Sequence, residues 1–152
     1  MTKGRLLGID HGLKRIGIAV SDSSGLVARE LTVINRKTNR ADFERINRIA
    51  SEQKAIGIVV GLPFNSDTEP GEYTQADTVR RWVERYAETT TLPITLWDEQ
   101  LTSADARELS IKQGRNRREA IDDLAARIIL QSYLDALRDG LAAPPINQHI
   151  EE

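Results

Sequence analysis

Carboxylate side chains occur at three places where the surrounding pattern predicts nonpolar residues. Asp10 ends the apolar run 6–9, so its carboxylate is expected at the C-terminal end of a buried strand. Asp98 and Glu99 stand in the same relation to the run 94–97. Both positions also have a purely structural interpretation, because Asp is a preferred turn residue and acids before a capped helix are commonly exposed loop charges.

The third acid lies in a helical segment and is more informative. When residues are placed about 100° apart around the helix axis, Asp122 falls inside the apolar arc, whereas Asp123 lies near the polar edge. The apolar arc contains Ala125, Ala126, Ile129, Tyr133 and Ala136, and the opposite arc contains Asp123, Arg127, Gln131 and Arg138. The helix dipole favours an acid in the first turn but does not require it to face inward. Because an inward-facing carboxylate is costly without a compensating cation, Asp122 predicts a metal ion or a basic partner.

Two strand-end acids and one inward-facing helix acid form a suitable set of oxygen ligands for Mg²⁺ or Mn²⁺. Pairs of such ions, about 3.5 to 4 Å apart, activate a water and stabilise the leaving oxygen in phosphodiester cleavage. Acids this distant in sequence meet only if the fold brings them together. If it does, the predicted chemistry is metal-dependent nucleolysis without a protein nucleophile.

Basic residues cluster near these acids although the total charge is slightly negative. The chain has 21 Lys and Arg against 23 Asp and Glu, a net charge of −2, which argues against a uniformly basic surface. The clusters are Lys14 with Arg15; Arg36, Lys37 and Arg40; and Lys112, Arg115, Arg117 and Arg118. Solvated loops are the alternative interpretation. The first and last clusters adjoin the predicted acids and are candidate nucleic-acid-binding residues.

Hydrophobic periodicity predicts the elements that must position these residues. Strands are predicted at 5–9, 15–21, 31–34, 55–61 and 94–97, and helices from a cap at Asp42, at about 74–88, 103–112 and 118–137. The first three strands are joined by short turns, and the fourth is a near-continuous apolar run typical of a central parallel strand. The predicted fold is therefore α/β, a five-stranded mixed sheet that combines an antiparallel meander with parallel crossovers and carries helices on both faces.

Length and composition predict one domain over residues 1–139 and a flexible tail over 140–152. The absence of cysteine excludes a disulfide framework, a cysteine nucleophile and a thiolate zinc site, and it fits a reducing cytoplasm. No apolar stretch approaches the roughly 18 residues that span a membrane, so we expect a soluble, cytoplasmic protein. The polar segment 65–74 is predicted to be a mobile loop.

Four segments, in order, resemble the signatures of the YqgF/RuvX family of Holliday-junction-resolvase-like proteins and pre-16S rRNA nucleases. They are Gly8–Asp22 (GIDHGLKRIGIAVSD), Val60–Pro63 with Asn65, Asp98–Ser103 (DEQLTS) and Asp122–Leu130 (DDLAARIIL). The resemblance extends from residue 7 to about residue 137. It implies a ribonuclease-H-like fold whose acids at the matched positions, Asp10, Glu99 and Asp122, bind Mg²⁺ or Mn²⁺ and perform catalysis.

The same resemblance implies 5′-end processing of pre-16S rRNA in ribosome biogenesis. One position departs from the family pattern, because Gln100 stands where the family usually has Arg, which alters a contact to phosphate or to Asp98. Gln100 can still donate a hydrogen bond, so the substitution alone does not imply inactivity. Whether Asp98 or Asp123 assists the site is left open by the sequence.

Other functions remain as alternatives. Resolution of branched DNA would need two active sites and hence a homodimer, whereas RNA trimming needs only a monomer. A non-catalytic nucleic-acid-binding adaptor is less consistent with retention of all three acids. The segment 8–12 also resembles the phosphate-binding start of actin-like ATPases and sugar kinases, but 152 residues form only one of their two lobes. His11 is expected in a turn, and Trp82 and Trp97 in the core.

Overall fold

The computed structural model describes residues 4–63, 74–98 and 117–145, with side chains in the last range described from residue 124 onward. Five strands form one mixed sheet in the order β3-β2-β1-β4-β5. They are β1 Arg5–His11, β2 Arg15–Ser21, β3 Ala28–Asn35, β4 Ala55–Leu62 and β5 Ile94–Asp98. The β1–β2 and β2–β3 pairs are antiparallel, and the β1–β4 and β4–β5 pairs are parallel. The predicted mixed sheet is confirmed, with β1 at its centre.

The central strands are covered on both faces, as their continuous apolar runs predict. Three described helices flank the sheet: α1 Asn39–Glu52, α2 Gln75–Ala87 and α3 Arg117–Arg138. Leu7 and Ile9 of β1 belong to the core that includes Phe43 of α1 and Trp82 of α2. Leu6 belongs to a second core that contains α3 residues. Successive β1 residues therefore face opposite helical layers.

Thr38, and not Asp42, is the N-cap of α1, which corrects the sequence prediction. The Thr38 hydroxyl accepts a hydrogen bond from the Ala41 amide at 3.1 Å. Asp42 is only 2% exposed. Its carboxylate accepts a hydrogen bond from the Lys37 amide at 3.0 Å and lies 3.7 Å from the Arg36 guanidinium. Asp42 is thus drawn inward by a cation, a role that a capping pattern alone does not reveal.

Strand β3 is longer than the apolar pattern predicts. It begins at Ala28 instead of residue 31, because the polar residues Arg29 and Glu30 interrupt the hydrophobic alternation without ending the pairing with β2. The Glu30 carboxylate forms an ion pair with the guanidinium of Arg127 in α3 at 3.2 Å. A charged side chain on the α3 face of this edge strand is therefore compensated by the covering helix.

Helix α3 ends in a glycine turn that folds the following residues back onto the sheet. Gly140 adopts a positive φ of 75°, and the Leu141 amide donates to the Ala136 carbonyl at 2.7 Å, the pattern of a Schellman cap. The Tyr133 hydroxyl then donates to the Ala143 carbonyl at 2.5 Å. These contacts hold residues beyond position 140, where the sequence predicts that the tail begins.

Helix α2 begins with a capping box formed by Thr74 and Asp77. Thr74 is the last residue of the predicted mobile loop, whose other residues lie outside the described ranges, as does the predicted helix 103–112. Among the described helices, none combines the length and apolar character that crossing a membrane requires.

Candidate active site

Asp10 lies at the end of the sheet where the parallel strands β1, β4 and β5 have their C-termini. It is the penultimate residue of β1, is half-buried, and pairs across the β1–β2 ladder with Gly17. On the other side, β4 reaches Gly61 directly after Val60, the last residue that it pairs with β1. Gly17 therefore stands beside Asp10 on β2, and Gly61 follows the last paired residue of β4.

Asp10 shares its face of β1 with Leu6 and Gly8, so it lies on the side covered by α3. The helix lies against β1 at Gly8. A Cβ atom on Gly8 would lie 2.7 Å from the Leu130 Cβ and 3.0 Å from the Ala126 carbonyl oxygen. Only glycine allows this approach, which brings the backbone of α3 against the strand two residues before Asp10.

The contacts along β1 show that α3 runs antiparallel to it. Gly4 and Leu6 line the same cavity as Leu134 and Leu137, whereas Gly8 lies against Leu130 and Ala126. One helical turn rises 5.4 Å and two strand residues rise about 6.6 Å, so the N-terminal turns of α3 extend towards the Asp10 end of the strand.

The position of Asp122 in the helix agrees with this direction. Its backbone lies in α3, one turn before the buried Ala126, and its side chain is outside the described set. All five residues of the predicted apolar arc are buried. On the opposite arc, Gln131 accepts a hydrogen bond from the Ala28 amide at 2.8 Å and Arg127 pairs with Glu30. The inward orientation of Asp122 remains a prediction, but the arc on which it was based is confirmed.

Several predicted site residues fall outside the described structure. Glu99, Gln100, Lys112 and Arg115 lie outside the described ranges, and the side chains of Arg117, Arg118 and Asp123 are likewise not described. Asp98 is the exposed last residue of β5, level with Leu62 of β4. Within the described part of the chain, no three His, Asp or Glu side chains form a group that could hold a metal ion.

The β1–β2 turn carries the basic residues predicted to follow Asp10. Lys14 is exposed at the tip, and Arg15 opens β2 with intermediate exposure. Arg15 is two residues before Gly17, the partner of Asp10, so it shares the face of Asp10. Arg15 thus lies on the α3 face of the sheet, and Lys14 lies at the tip of the turn.

Arg36 acts within the fold and not as a solvated loop cation. Its guanidinium donates to the Gly12 carbonyl at 3.2 Å and to the Asn39 side-chain oxygen at 3.3 Å, besides facing Asp42. Its backbone amide donates to the Lys14 carbonyl at 2.9 Å. The sequence pattern does not predict that Arg36 joins the β1–β2 turn to α1. The available signal was an acid at position 42 beside the buried Phe43.

His11 faces away from Asp10. It is the last residue of β1 and not part of a turn, and its ring centre lies 4.7 Å from that of Trp82 on the α1–α2 face. Burial, with a further contribution from the Arg36 charge, lowers the pKa of His11 to about 4. Its imidazole is therefore neutral near pH 7. Trp82 is buried and Trp97 packs against the α3 core, which confirms the core prediction for both.

Comparison with known proteins gives consistent matches over most of the chain. The model of the RuvX family, described as a Holliday junction resolvase, matches residues 4–136. A protein of Thermoanaerobacter pseudethanolicus named as a pre-16S rRNA nuclease is 44% identical over 139 residues, which cover 89% of this chain and 99% of that protein. A similarly named protein of Myxococcus xanthus is 38% identical over 138 residues, covering 88% and 89%.

Solved structures with the same architecture include resolvases. RuvC of Thermus thermophilus in complex with a Holliday junction substrate gives a TM-score of 0.63 at 17% identity, covering 93% of this chain and 99% of that one. Fowlpox virus resolvase with its Holliday junction DNA gives 0.52 at 10% identity, covering 88% and 98%. At these identities the similarity shows the fold, and the predicted ribonuclease-H-like architecture is confirmed.

Proposed function

The chain belongs to the RuvX family, and we propose that it is a divalent-metal-dependent nuclease that processes the 5′ end of pre-16S rRNA. The observation that carries this proposal is the position of Asp10 at the end of the central strand, on the face crossed by the helix that contains Asp122. Relatives named as pre-16S rRNA nucleases support the choice of substrate. We also propose a cytoplasmic location, because this is where such a substrate would be processed.

Asp10, Glu99 and Asp122 are the residues that would hold Mg²⁺ or Mn²⁺. Three carboxylates are hard oxygen donors, which suit these ions, and Asp10 stands beside Gly17 at the end of the central strand. When bound, the metal polarises a water molecule and compensates negative charge on the departing oxygen. The chain has no cysteine and His11 faces the other layer, so neither would supply a nucleophile here, and a bound metal would supply an activated water instead.

The protein contributes by positioning the substrate phosphates. Arg15 lies on the face of Asp10, and Lys14 lies at the adjoining tip. Lys112 and Arg115 precede α3 in the sequence, Arg117 and Arg118 are its first residues, and the N-terminus of a helix favours anions. These cations would hold the scissile phosphate near the carboxylates, which would otherwise repel it.

Resolution of branched DNA is the second candidate function. The family model is described as a Holliday junction resolvase, and a fold neighbour is RuvC in complex with that substrate. The two functions differ in assembly, because paired incisions in a four-way junction need two symmetric sites and single-site RNA trimming does not.

The decisive measurement is cleavage of a pre-16S rRNA fragment and of a four-way DNA junction in Mn²⁺ or Mg²⁺. We expect wild type to shorten the RNA, and Asp10→Asn and Asp122→Asn to reduce the rate by at least about 100-fold, as expected for loss of a metal ligand. Asp139→Asn, a matched change at an exposed acid beyond α3, should retain wild-type activity.

Each result decides between specific alternatives. Cleavage that survives both Asp10→Asn and Asp122→Asn would refute the proposed site and would also expose a contaminating ribonuclease. Cleavage of the junction but not of the RNA would favour the resolvase function. Binding of either substrate without cleavage in any metal would favour the non-catalytic adaptor.

A further inference from the structure

The turn between β1 and β2 presents an apolar side chain at its tip. Leu13 is 79% exposed and lies between Gly12 and the exposed Lys14, three residues after Asp10. Leucine is not a residue that turns favour. A single exposed leucine is common on protein surfaces, so exposure alone carries no argument. The structure around this leucine is what distinguishes it.

The backbone on either side of Leu13 is held by Arg36. The guanidinium of Arg36 donates to the carbonyl of Gly12, and its backbone amide donates to the carbonyl of Lys14. The Gly12 amide donates to the Arg15 carbonyl at 2.9 Å and closes the turn. A Cβ atom on Gly12 would lie 2.6 Å from that carbonyl oxygen, so the tight geometry requires glycine.

Arg36 is in turn fixed from the interior of the protein. The buried carboxylate of Asp42 faces its guanidinium, and Asn39 accepts a further hydrogen bond from it. Asp42 is also bonded to the Lys37 amide, which brings the exposed Lys37 next to the turn. Hydrogen bonds thus hold the backbone of the tip, where Leu13, Lys14 and the nearby Lys37 are exposed.

We propose that this tip is a contact for the substrate strand, in which Leu13 packs against the face of an unstacked base while Lys14 and Lys37 bind the adjoining phosphates. The proposal rests on the nuclease function above and adds the base contact to it. Leu13 follows Asp10 by three residues, which span at most about 10 Å, so the tip is within reach of a nucleotide next to a phosphate held near Asp10. Apolar side chains, leucine included, contact bases in this way, and a backbone held by hydrogen bonds limits the entropy lost on binding.

The test is affinity for a 5′-fluorescein-labelled RNA hairpin with a single-stranded 5′ extension, measured by anisotropy in EDTA so that the RNA stays intact. We expect Leu13→Ala to weaken binding about fivefold without changing the dependence on salt. Leu141→Ala is the matched control, because Leu141 is 78% exposed but follows the far end of α3. Lys14→Gln should flatten the salt dependence, and Lys54→Gln, an exposed lysine before β4, should not.

An abasic substitution moved along the 5′ extension identifies the contact itself. At the position that Leu13 touches, removal of the base should abolish the difference between wild type and Leu13→Ala. If Leu13→Ala and Leu141→Ala bind alike, or if no abasic position removes the difference, the base contact is refuted while the nuclease function stands. If wild type does not bind this RNA and also cleaves neither substrate in Mn²⁺ or Mg²⁺, both proposals fail. A change in self-association instead of RNA affinity would assign Leu13 to a protein interface and refute the proposal.

Discussion

Asp10 and Asp42 show which single residues can be interpreted from sequence. Asp10 was predictable because it ends an apolar run, and one strand end needs no information from elsewhere in the chain. Asp42 was not, because Thr38 and Asp42 are both capping residue types. Only the meeting of β3 and α1 in space shows that Arg36 draws Asp42 inward. Glu99 and Asp122 stay predictions, since their side chains lie outside the described structure.

The close contact at Gly8 predicts that adding a single methyl group there destabilises the protein. Gly8→Ala should lower the free energy of unfolding by about 1 to 3 kcal/mol, because the new Cβ would overlap the Leu130 Cβ and the Ala126 carbonyl and force α3 away from β1. Urea unfolding measures the change. Gly57→Ala is the control, since its Cβ would meet a flexible Leu6 methyl at 3.1 Å and Pro145 at 3.3 Å, at the other end of the sheet.

The displacement should also affect the site. Moving α3 separates the elements that carry Asp10 and Asp122, so we expect Gly8→Ala to weaken Mn²⁺ binding more than Gly57→Ala does. Equal stability and equal metal affinity in the two variants would contradict the close approach of α3 to β1.

At the scale of elements, bounds set by apolar residues agree with the sequence prediction, whereas the start of β3, where polar residues lie, does not. Helix α3 runs from Arg117 to Arg138 against a predicted 118–137, because its apolar arc is continuous. Strand β3 starts three residues early, where Glu30 pairs with Arg127. Strand ends set by polar partners depend on contacts distant in sequence, which periodicity does not contain.

The turn between β2 and β3 predicts a dependence of stability on pH. The Asp22 carboxylate accepts hydrogen bonds from the Ser24 hydroxyl and from the Leu26 and Val27 amides at 2.9 and 3.0 Å. The Ser24 bond, followed by the two amides, lowers the pKa of Asp22 from 3.8 to about 2. The ionised form is therefore favoured by folding. Its contribution is complete above pH 3.8 and is lost as the pH falls towards 2.

We expect wild type to be more stable than Asp22→Asn at pH 6, and the difference to shrink below pH 4 and vanish near pH 2. Urea unfolding at several pH values measures it, and Asp139→Asn controls for the change in net charge. A difference that is independent of pH would show that the hydrogen-bonded charge of Asp22 does not stabilise the turn.

At the scale of the whole molecule, the sheet order explains why one sequence pattern could predict the fold. The antiparallel meander and the parallel crossovers both meet at β1, whose two faces are packed by different helical layers. The apolar runs of β1 and β4 and the short turns between the first three strands were enough to predict this arrangement. Convergence of the three acids stays a prediction, because it requires β1, β5 and α3 to meet at one end of the sheet, and the side chains of Glu99 and Asp122 lie outside the described structure.

The proposed metal binding at Asp10, Glu99 and Asp122 predicts a change in global stability. A ligand that binds only the folded state at about 100 times its Kd adds about 2.7 kcal/mol, which for a domain of this size raises Tm by several degrees. We expect Mn²⁺ to raise the Tm of wild type and to have little effect on Asp10→Asn. Asp139→Asn should respond as wild type does, and K⁺ at equal ionic strength is the salt control. Equal shifts in wild type and Asp10→Asn would place the metal elsewhere.

The opposed orientations of Asp10 and His11 restrict how this strand can change in length. Consecutive residues of β1 face different layers, so inserting or deleting one residue before position 10 would exchange them. The imidazole would then face α3, and a carboxylate would face the ring of Trp82. Gly8 would also leave the point where Ala126 and Leu130 approach. Substitutions can alter one layer at a time, but a change in the length of β1 would alter both cores and the site together.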